Sequence, residues 1–178
     1  MKSKRTTVTY LQMLSPPAQQ VDAPTSGVRV VHIAPSVEQY LELYRDVGGE
    51  YHWVDRLRLA TGELKSILND SRVDVFVLTV DGDTAGFGEL DRRKDDEIEV
   101  AYFGLMPGYI GRGLGKYFLN QLVQRAWQHN PRRVWLHTCT LDHPAALPNY
   151  LKAGFVAYDE ETIQQAIQVE GTDEPESQ

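Results

Sequence analysis

The sequence predicts an α/β (α+β) protein built on a mixed central sheet of six to seven strands flanked by helices. Three observations support this fold class. Apolar runs and helical stripes follow one another in the order β-α-α-β-β-β-α-β-α-β. The turn Asp81-Gly82-Asp83 between two apolar runs predicts an antiparallel hairpin. A long amphipathic segment then separates two later strands, as a crossover helix does, so helices should cover both faces of the sheet.

The first half of the chain is predicted to contain one strand and two helical regions. The apolar run 28–33 predicts the strand. Ser36 can cap the helix that follows, and Gly48-Gly49 should end it. A second helical region covers 53–68, with a break predicted at Gly62.

The second half is predicted to contain the hairpin, a third antiparallel strand and two further strands. The first three strands cover 73–80, 84–91 and 97–105. The long helix after them has an apolar stripe that includes Leu114, Phe118, Leu122 and Ala126, and Asn130-Pro131 ends it. A strand over 133–140, a short helix over 145–152 and a last strand from 155 to 158 complete the predicted sheet.

Length and composition are typical of one folded domain with a sizeable core. The chain has 178 residues, of which 42% are hydrophobic and 24% charged. An irregular arm is predicted over 1–27, because Pro16-Pro17 and Pro24 disfavour regular structure, with a short strand near 8–13. The folded domain is predicted over 28–160. A polar, acidic tail over 161–178 is predicted to be partly disordered.

Charge and apolar patterning argue against several classes of partner. The net charge is −7, and much of it comes from the acidic tail. No basic stripe with interleaved aromatic residues is present, so we expect no nucleic-acid partner. No apolar run approaches the roughly 20 residues of a membrane span, and no signal-peptide core follows the start. Because Cys139 is the single cysteine, we expect no internal disulfide and a cytoplasmic location.

The most informative segment is the loop between the strand at 97–105 and the long helix. Three glycines and two basic residues make up this glycine loop: Gly111, Arg112, Gly113, Gly115 and Lys116. Glycine lets the backbone approach a phosphate closely, and the first N–H groups of a helix point at it. The loop therefore predicts a phosphate-bearing cofactor. The triphosphate loop would need a glycine at Ile110, and the dinucleotide loop would need one at position 116.

The segment resembles the pyrophosphate loop [QR]-x-x-G-x-[GA] of the GCN5-related N-acetyltransferase (GNAT) superfamily, with Ile110 at the leading position. The family pattern Asn-x-x-Ala-x-x-x-Tyr-x-x-x-Gly-Phe also matches, although His143 replaces the Asn. Its matching residues are Ala146, Tyr150, Gly154 and Phe155. The resemblance covers about 28–160, and segments 102–105 and 140–144 look like a bacterial subgroup of unknown substrate. It implies the acyl-CoA N-acyltransferase-like three-layer fold.

The resemblance also implies an activity, a cofactor and a binding site. The activity is transfer of an acetyl group from acetyl-CoA to a primary amine, on a small molecule or a peptide, by direct attack on the thioester. Strand residues would offer backbone edges to the pantetheine arm, and the loop would bind the pyrophosphate. The implied cofactor-binding residues are Phe103, Gly104, Leu105, Gly111, Arg112, Gly113, Leu114, Gly115, Lys116 and His143.

Two catalytic residues are implied in the same way. Tyr150 stands where the family places the acid that protonates the departing thiolate, and a tyrosine with a pKa of about 10 keeps its proton at neutral pH. Glu99 stands where histone-type members place the general base, and Glu97 shares its strand face. Thr138 occupies the position of the glutamate that other members use. A water chain without a single base is the alternative to Glu99.

Several interpretations stay open at this level. An acyl-CoA-binding regulatory or interaction protein would keep the fold and lose turnover, and a nucleotide-binding module would use the loop for another phosphate ligand. The simplest interpretation of His137, Cys139 and Trp53 is core packing, although Trp53 could line an acceptor groove. We predict no metal site. The sequence leaves open the acceptor, the acyl length and the oligomeric state, including a homodimer.

Overall fold

A computed structural model describes residues 2–167 of the chain. Its four helices are α1 (Val37–Gly48), α2 (Thr61–Asn69), α3 (Leu114–Trp127) and α4 (Ala146–Lys152). Its seven strands are β1 (Lys2–Met13), β2 (Val28–Ile33), β3 (Val73–Val80), β4 (Asp83–Asp91), β5 (Glu97–Leu105), β6 (Arg133–Cys139) and β7 (Val156–Ile167). Short 3₁₀ turns cover Gly49–Tyr51, Arg56–Arg58 and Pro107–Tyr109. Within the described residues, no helix is both long and apolar enough to cross a membrane.

The strands form one mixed sheet in the order β2-β3-β4-β5-β6-β1-β7. Strands β5 and β6 pair in parallel, and α3 is the crossover between them. The other five ladders are antiparallel. The predicted mixed sheet flanked by helices is therefore confirmed, with seven strands.

The first strand corrects the prediction of an irregular N-terminal arm. Instead of a short strand near 8–13, β1 covers twelve residues and lies inside the sheet between β6 and β7. Its polar first half has no apolar alternation that would predict a strand. It is extended because β7 supplies hydrogen-bonding partners that are distant in sequence, such as Ile167 opposite Lys2. Residues 14–27 contain no helix or strand, as expected.

The predicted start of the acidic tail, at residue 161, is wrong. Residues 161–167 belong to β7, which pairs with β1 along nearly its whole length, and the Tyr10 hydroxyl donates a hydrogen bond to Glu161. The polar sequence of β7 fits an edge strand whose side chains are mostly exposed. The remainder of the predicted tail, 168–178, lies outside the described residues.

The helical region after α1 also differs from its prediction. The sequence predicts one region over 53–68 with a break at Gly62, whereas the chain forms a 3₁₀ turn and then α2. Gly62 lies in the first turn of α2, and the interruption falls at Leu59 and Ala60, which are extended. Ser36 caps α1 as predicted, in a capping box with Gln39.

Two apolar clusters cover the two faces of the sheet. Helix α3 packs on one face, where Phe118 and Leu122 are fully buried. Helices α1 and α2 pack on the other, where Tyr40, Tyr44 and Leu64 surround the sheet residue Phe87. A buried charge lies beside this second cluster, and the loop between α1 and α2 packs against the cluster.

The buried charge is the Glu89 carboxylate, which has no exposed surface. One oxygen accepts a hydrogen bond from the Tyr40 hydroxyl at 2.5 Å, and the other accepts one from Arg56 Nη2 at 2.6 Å. The Arg56 guanidinium also lies 5.3 Å from the centroid of the Tyr102 ring. Because Arg56 belongs to the α1–α2 loop, this ion pair fixes the loop to the sheet.

Replacing Arg56 with Met should destabilise the fold strongly, because Glu89 would then be a buried charge without its cation. Breaking a buried pair in this way costs about 3–5 kcal/mol. Urea unfolding would measure the loss, with Arg72→Met as the control, since Arg72 pairs with Asp70 at the surface. Equal effects of the two substitutions would contradict a structural role for the buried pair.

Candidate active site

Strands β5 and β6 diverge after a short ladder and open a groove between them. Their ladder in the described structure consists of three residue pairs, the last of which joins Glu99 to Trp135. On the other side of β5, the register with β4 shifts between Glu89 and Leu90, so that Ala101 is bulged. A bulge bends a strand locally and increases its twist, which turns the end of β5 away from β6. The resulting groove has a volume of about 1460 Å³.

The glycine loop and the start of α3 form one end of this groove. Gly111 and Gly113 have φ values of 83° and 76°, a left-handed conformation that favours glycine. Gly113 is the N-cap of α3 and, having no side chain, leaves the first N–H groups of the helix without a side-chain cap. The Lys116 side chain belongs to the groove lining. This end has the backbone geometry and charge of an anion site.

The structure brings eight of the ten predicted cofactor-binding residues to the groove. These are Phe103, Gly104, Leu105, Gly111, Gly113, Gly115, Lys116 and His143. The other two side chains lie elsewhere. Leu114 is 3% exposed and packs in the core, because α3 needs an apolar residue on its inner face. The Arg112 guanidinium lies 5.2 Å from the centroid of the Tyr109 ring, outside the lining.

Gly104 has a structural reason for being glycine. A Cβ atom at this position would overlap the Val47 side chain of α1. His143 likewise has a local role, since its Nδ1 accepts a hydrogen bond from the Ala145 N–H at 3.0 Å, just before α4. His143 also lies against Tyr51, with the ring centroids 6.2 Å apart.

Tyr150, the predicted general acid, is part of the groove lining. It is on α4, is 8% exposed, and packs its ring against Phe103 of β5 and against Phe155. Burial, and to a smaller degree the negative charge of Asp142, raises the pKa of the Tyr150 hydroxyl above its usual value. The hydroxyl therefore keeps its proton at neutral pH, which is the state that a proton donor needs.

Glu99 lies beside the groove rather than in its lining. Its side chain faces a smaller cavity of about 260 Å³, which it shares with Glu97, Trp135 and Lys94. Burial, and then the negative charges of Asp91 and Glu89, raises the pKa of Glu99 to about 7. A carboxylate with this pKa can both accept and release a proton near neutral pH.

His137 connects Glu99 to the groove. Its Nδ1 lies 3.7 Å from Glu99 Oε1, and its side chain is 47% exposed and lines the groove. Partial burial lowers the pKa of His137, and the charges of Asp142 and Asp55 act in the opposite direction. The interpretation of His137 as a packed core residue is therefore wrong. The distance is longer than a hydrogen bond, so a proton would pass between the two groups through a small movement or a water.

Asp142 joins β6 to the α1–α2 loop at the groove and was missed by sequence reasoning. One carboxylate oxygen accepts hydrogen bonds from Thr138 Oγ1 at 2.6 Å and from the Cys139 N–H at 3.0 Å. The other oxygen accepts a hydrogen bond from Trp53 Nε1 at 3.4 Å. Trp53 packs on Tyr44 and also lines the groove, and its contribution to an acceptor groove stays a prediction. No spacing rule in the sequence indicates this contact, which joins segments 89 residues apart.

Comparison with known proteins identifies the family. The Acetyltransferase (GNAT) family matches residues 36–155, which is more than half of the chain. The chain belongs to the GNAT acetyltransferase family. The matched region contains the diverging strands, the glycine loop and Tyr150, so most of the groove lining lies within the GNAT part of the chain.

Individual relatives share little sequence identity with this GNAT protein. An uncharacterized N-acetyltransferase of Mycobacterium tuberculosis is 28% identical over 97 residues, which are 54% of this chain and 62% of the relative. A GCN5-related N-acetyltransferase from Kribbella flavida has a TM-score of 0.63 at 16% identity, over 89% of this chain and 58% of that one. A tandem GNAT protein from the clavulanic acid biosynthesis pathway, solved without acetyl-CoA, has a TM-score of 0.63 at 17% identity, over 95% of this chain and 56% of that one. The chain thus spans less than two thirds of each, and the two structures establish the fold alone.

The raised pKa of Glu99 should make stability depend on pH. Between pH 4.5 and pH 7 the folded state binds more protons at Glu99 than the unfolded state, so unfolding free energy falls as pH rises through this window. Glu99→Gln removes the carboxylate whose ionisation lowers the unfolding free energy. The variant should therefore be more stable than the parent at pH 8, by at most about 3 kcal/mol, but not at pH 4. Urea unfolding at both pH values measures it. A difference between variant and parent that is independent of pH would contradict the raised pKa.

Proposed function

We propose that this GNAT protein transfers an acetyl group from acetyl-CoA to a primary amine of a small molecule or peptide. The observation that carries the proposal is the groove itself. It runs from an anion site at the start of α3, along the unpaired edge of β5, to a protonated Tyr150. A thioester on a pantetheine arm with a pyrophosphate at its far end matches this order of features.

The described residues fit such a cofactor. Lys116 and the backbone N–H groups after Gly113 would hold the pyrophosphate. Lys116 carries a positive charge, and the N–H groups have no side-chain cap. Backbone groups of β5 between Phe103 and Leu105, which lack a β6 partner, would hold the pantetheine arm. Bound acetyl-CoA would supply an activated acetyl group, and the remaining chemistry would come from the side chains of the groove.

Two proton movements are needed during transfer. As the amine nitrogen bonds to the acetyl carbon and the carbon–sulfur bond breaks, the sulfur must gain a proton and the nitrogen must lose one. The Tyr150 hydroxyl, kept protonated by burial, would supply the proton to the sulfur. Glu99 would take up the proton from the amine, through His137 or a water, because its pKa is raised to about 7.

The acceptor would enter from the side formed by the α1–α2 loop. Tyr51, Trp53, Asp55 and Asp142 line this side and combine flat aromatic surface with two carboxylates. An amine carried on an apolar or ring-containing group suits this lining. A screen of primary amines with acetyl-CoA, which measures thiol release and the mass of the product, tests the proposal directly.

A second candidate is an acyl-CoA-binding protein with little turnover. Two observations favour it: Glu99 does not line the groove, and Ile110, which is 39% exposed, stands at the leading position of the loop. In the amine screen this candidate predicts CoA binding without thiol release for any acceptor.

Gly113→Asp should abolish or greatly weaken CoA binding in a protein that still folds. The substitution places a side chain at a φ of 76° and brings a negative charge to the proposed pyrophosphate site. Isothermal titration with CoA measures the effect, and Gly82→Asp is a matched control, because Gly82 has a φ of 89° in the β3–β4 turn. A folded Gly113→Asp variant with the parent's affinity would exclude this loop as the phosphate site.

Tyr150→Phe should lower turnover by about 10²-fold or more, the usual scale of general acid catalysis, and leave CoA affinity nearly unchanged. The phenyl ring preserves the packing on Phe103 and Phe155 but lacks the proton. Steady-state kinetics and CoA titration separate the two effects. Near-normal turnover would mean that a water supplies the proton.

Glu99→Gln should remove the limb of the pH–rate profile near pH 7. In the parent, the rate should rise as Glu99 loses its proton at a pKa of about 7. The variant cannot accept a proton there, so its rate should be low at neutral pH and recover partly at high pH, where the amine is already deprotonated. If variant and parent profiles coincide, the mechanism does not use Glu99 and a water chain replaces it.

A further inference from the structure

The orientation of the His137 ring decides whether this residue can connect Glu99 to the groove. Its Nδ1 lies 3.7 Å from Glu99 Oε1, and its side chain, which is 47% exposed, lines the groove. A side chain rotates among several staggered conformers unless its surroundings select one of them. Burial alone does not select a conformer for a side chain that is half exposed. Contacts with neighbouring side chains therefore have to keep the imidazole turned towards Glu99.

Two aromatic rings flank the His137 imidazole. Trp135 precedes it by two residues on the same face of β6, and the two ring centroids are 6.4 Å apart. Tyr10 lies directly opposite His137 in the ladder of β1 and β6, with the ring centroids 5.8 Å apart. Side chains directly opposite each other in an antiparallel pair share a face and contact each other. The Tyr10 ring, which also lines the groove, thus restricts the imidazole from the β1 side.

Glu161 of β7 holds the Tyr10 ring in this place. The Tyr10 hydroxyl donates a hydrogen bond to Glu161 Oε1, on the strand that pairs with the other edge of β1. This hydrogen bond, and then burial, raises the pKa of Tyr10 to about 12, so the hydroxyl remains a donor well above neutral pH. Tyr158 also packs on Tyr10, with the ring centroids 6.3 Å apart. Both the hydroxyl and the ring of Tyr10 are therefore fixed.

The charges around His137 favour a neutral ring at neutral pH. Carboxylates from four parts of the chain face it, namely Glu99 of β5, Asp142 after β6, Asp55 of the α1–α2 loop and Glu161 of β7. Burial has the largest effect and lowers the pKa of His137, although the last three carboxylates act in the opposite direction. A neutral imidazole has a proton on one nitrogen and a lone pair on the other. It can accept a proton on one side and release one on the other only while the ring is correctly oriented.

We propose that Tyr10, held by Glu161, is a positioning residue that orients His137 for transfer of the amine proton to Glu99. The inference rests on the proposed function, because it concerns the proton that the amine nitrogen loses as it bonds to the acetyl carbon. One nitrogen of His137 takes up this proton, and the other passes its own proton to the Glu99 carboxylate. His137 ends neutral and Glu99 ends protonated. Both positioning residues lie outside the matched GNAT region 36–155.

Steady-state kinetics as a function of pH test the proposal, with acetyl-CoA and the fastest acceptor of the amine screen, starting with phenethylamine. Tyr10→Leu should lower kcat about tenfold at neutral pH, because a misplaced relay transfers protons poorly, and leave the KM for acetyl-CoA unchanged. The deficit should shrink at high pH, where the free amine is already deprotonated. Tyr158→Leu is the matched control, since Tyr158 packs on Tyr10 from the same face but does not line the groove.

Nuclear magnetic resonance of the ligand-free protein gives a measurement that does not depend on turnover. In the parent, the ¹⁵N-labelled imidazole of His137 should titrate below its ordinary pKa, because burial lowers it. Tyr10→Leu removes a flanking ring and admits water, so the titration should move up towards the ordinary value. Tyr158→Leu should leave it unchanged.

Two further sets of variants show whether Tyr10 acts through His137. In a His137→Ala background, Tyr10→Leu should cost no additional activity, because the residue that it positions is absent. If Tyr10→Leu does not fold, Tyr10→Phe and Glu161→Ala keep the ring and remove the same hydrogen bond. Each should lower kcat by about threefold at neutral pH.

The outcomes separate this proposal from the proposed function. If the parent turns over and folded Tyr10 variants keep its kcat and pH profile, the proton leaves without His137 being positioned by Tyr10, and only this proposal is wrong. An unchanged His137 titration in Tyr10→Leu, or a full tenfold loss in the His137→Ala background, would overturn it as well. A parent that acetylates no amine would refute the proposed function, and the role of Tyr10 with it.

Discussion

The separation of β5 from β6 is the constraint on which the site depends. A parallel pair that stays together leaves no room between its strands, whereas this one ends its ladder at Glu99 and Trp135. The bulge at Ala101 lets β5 remain paired with β4 while it turns away from β6. Backbone groups of β5 beyond the last pair border the groove and have no β6 partner. The fold thus leaves hydrogen-bond donors and acceptors at the place where an extended ligand can bond to them.

The two sides of the groove are stabilised by different interactions. At the glycine-loop end, glycine conformations and the start of α3 define the geometry, and the core beneath is apolar. At the other end, the 3₁₀ turns between α1 and α2 carry lining residues, and a buried ion pair between Glu89 and Arg56 holds the loop that contains them. The lining at this end could therefore change by substitutions in the loop while the Glu89 ion pair and the glycine-loop end stay the same.

Local sequence signals predicted those parts of the fold and site that depend on neighbours in the chain. The glycine loop, the strand before it and the position of Tyr150 follow from short spacings, and the structure brings them together. The contact of Asp142 with Trp53 could not be predicted, because the two residues are 89 positions apart in the chain. Glu99 shows an intermediate case. Its strand was predicted, but the bulge at Ala101 changes the alternation of side chains between Glu99 and the loop, so counting residues could not tell which cavity it faces.

The interior position of β1 has a consequence for how the chain reaches its final state. Residues 8–13 are synthesised before the other strands of the sheet, yet they pair with 134–139 of β6 and with β7, the last two strands in chain order. During translation this strand has no native partner until the rest of the sheet has emerged, so the sheet cannot form progressively in chain order. Contacts of such large sequence separation slow folding and leave open strand edges exposed for longer. The nascent protein should therefore depend on chaperone protection of these edges more than a chain whose sheet is assembled in order of synthesis.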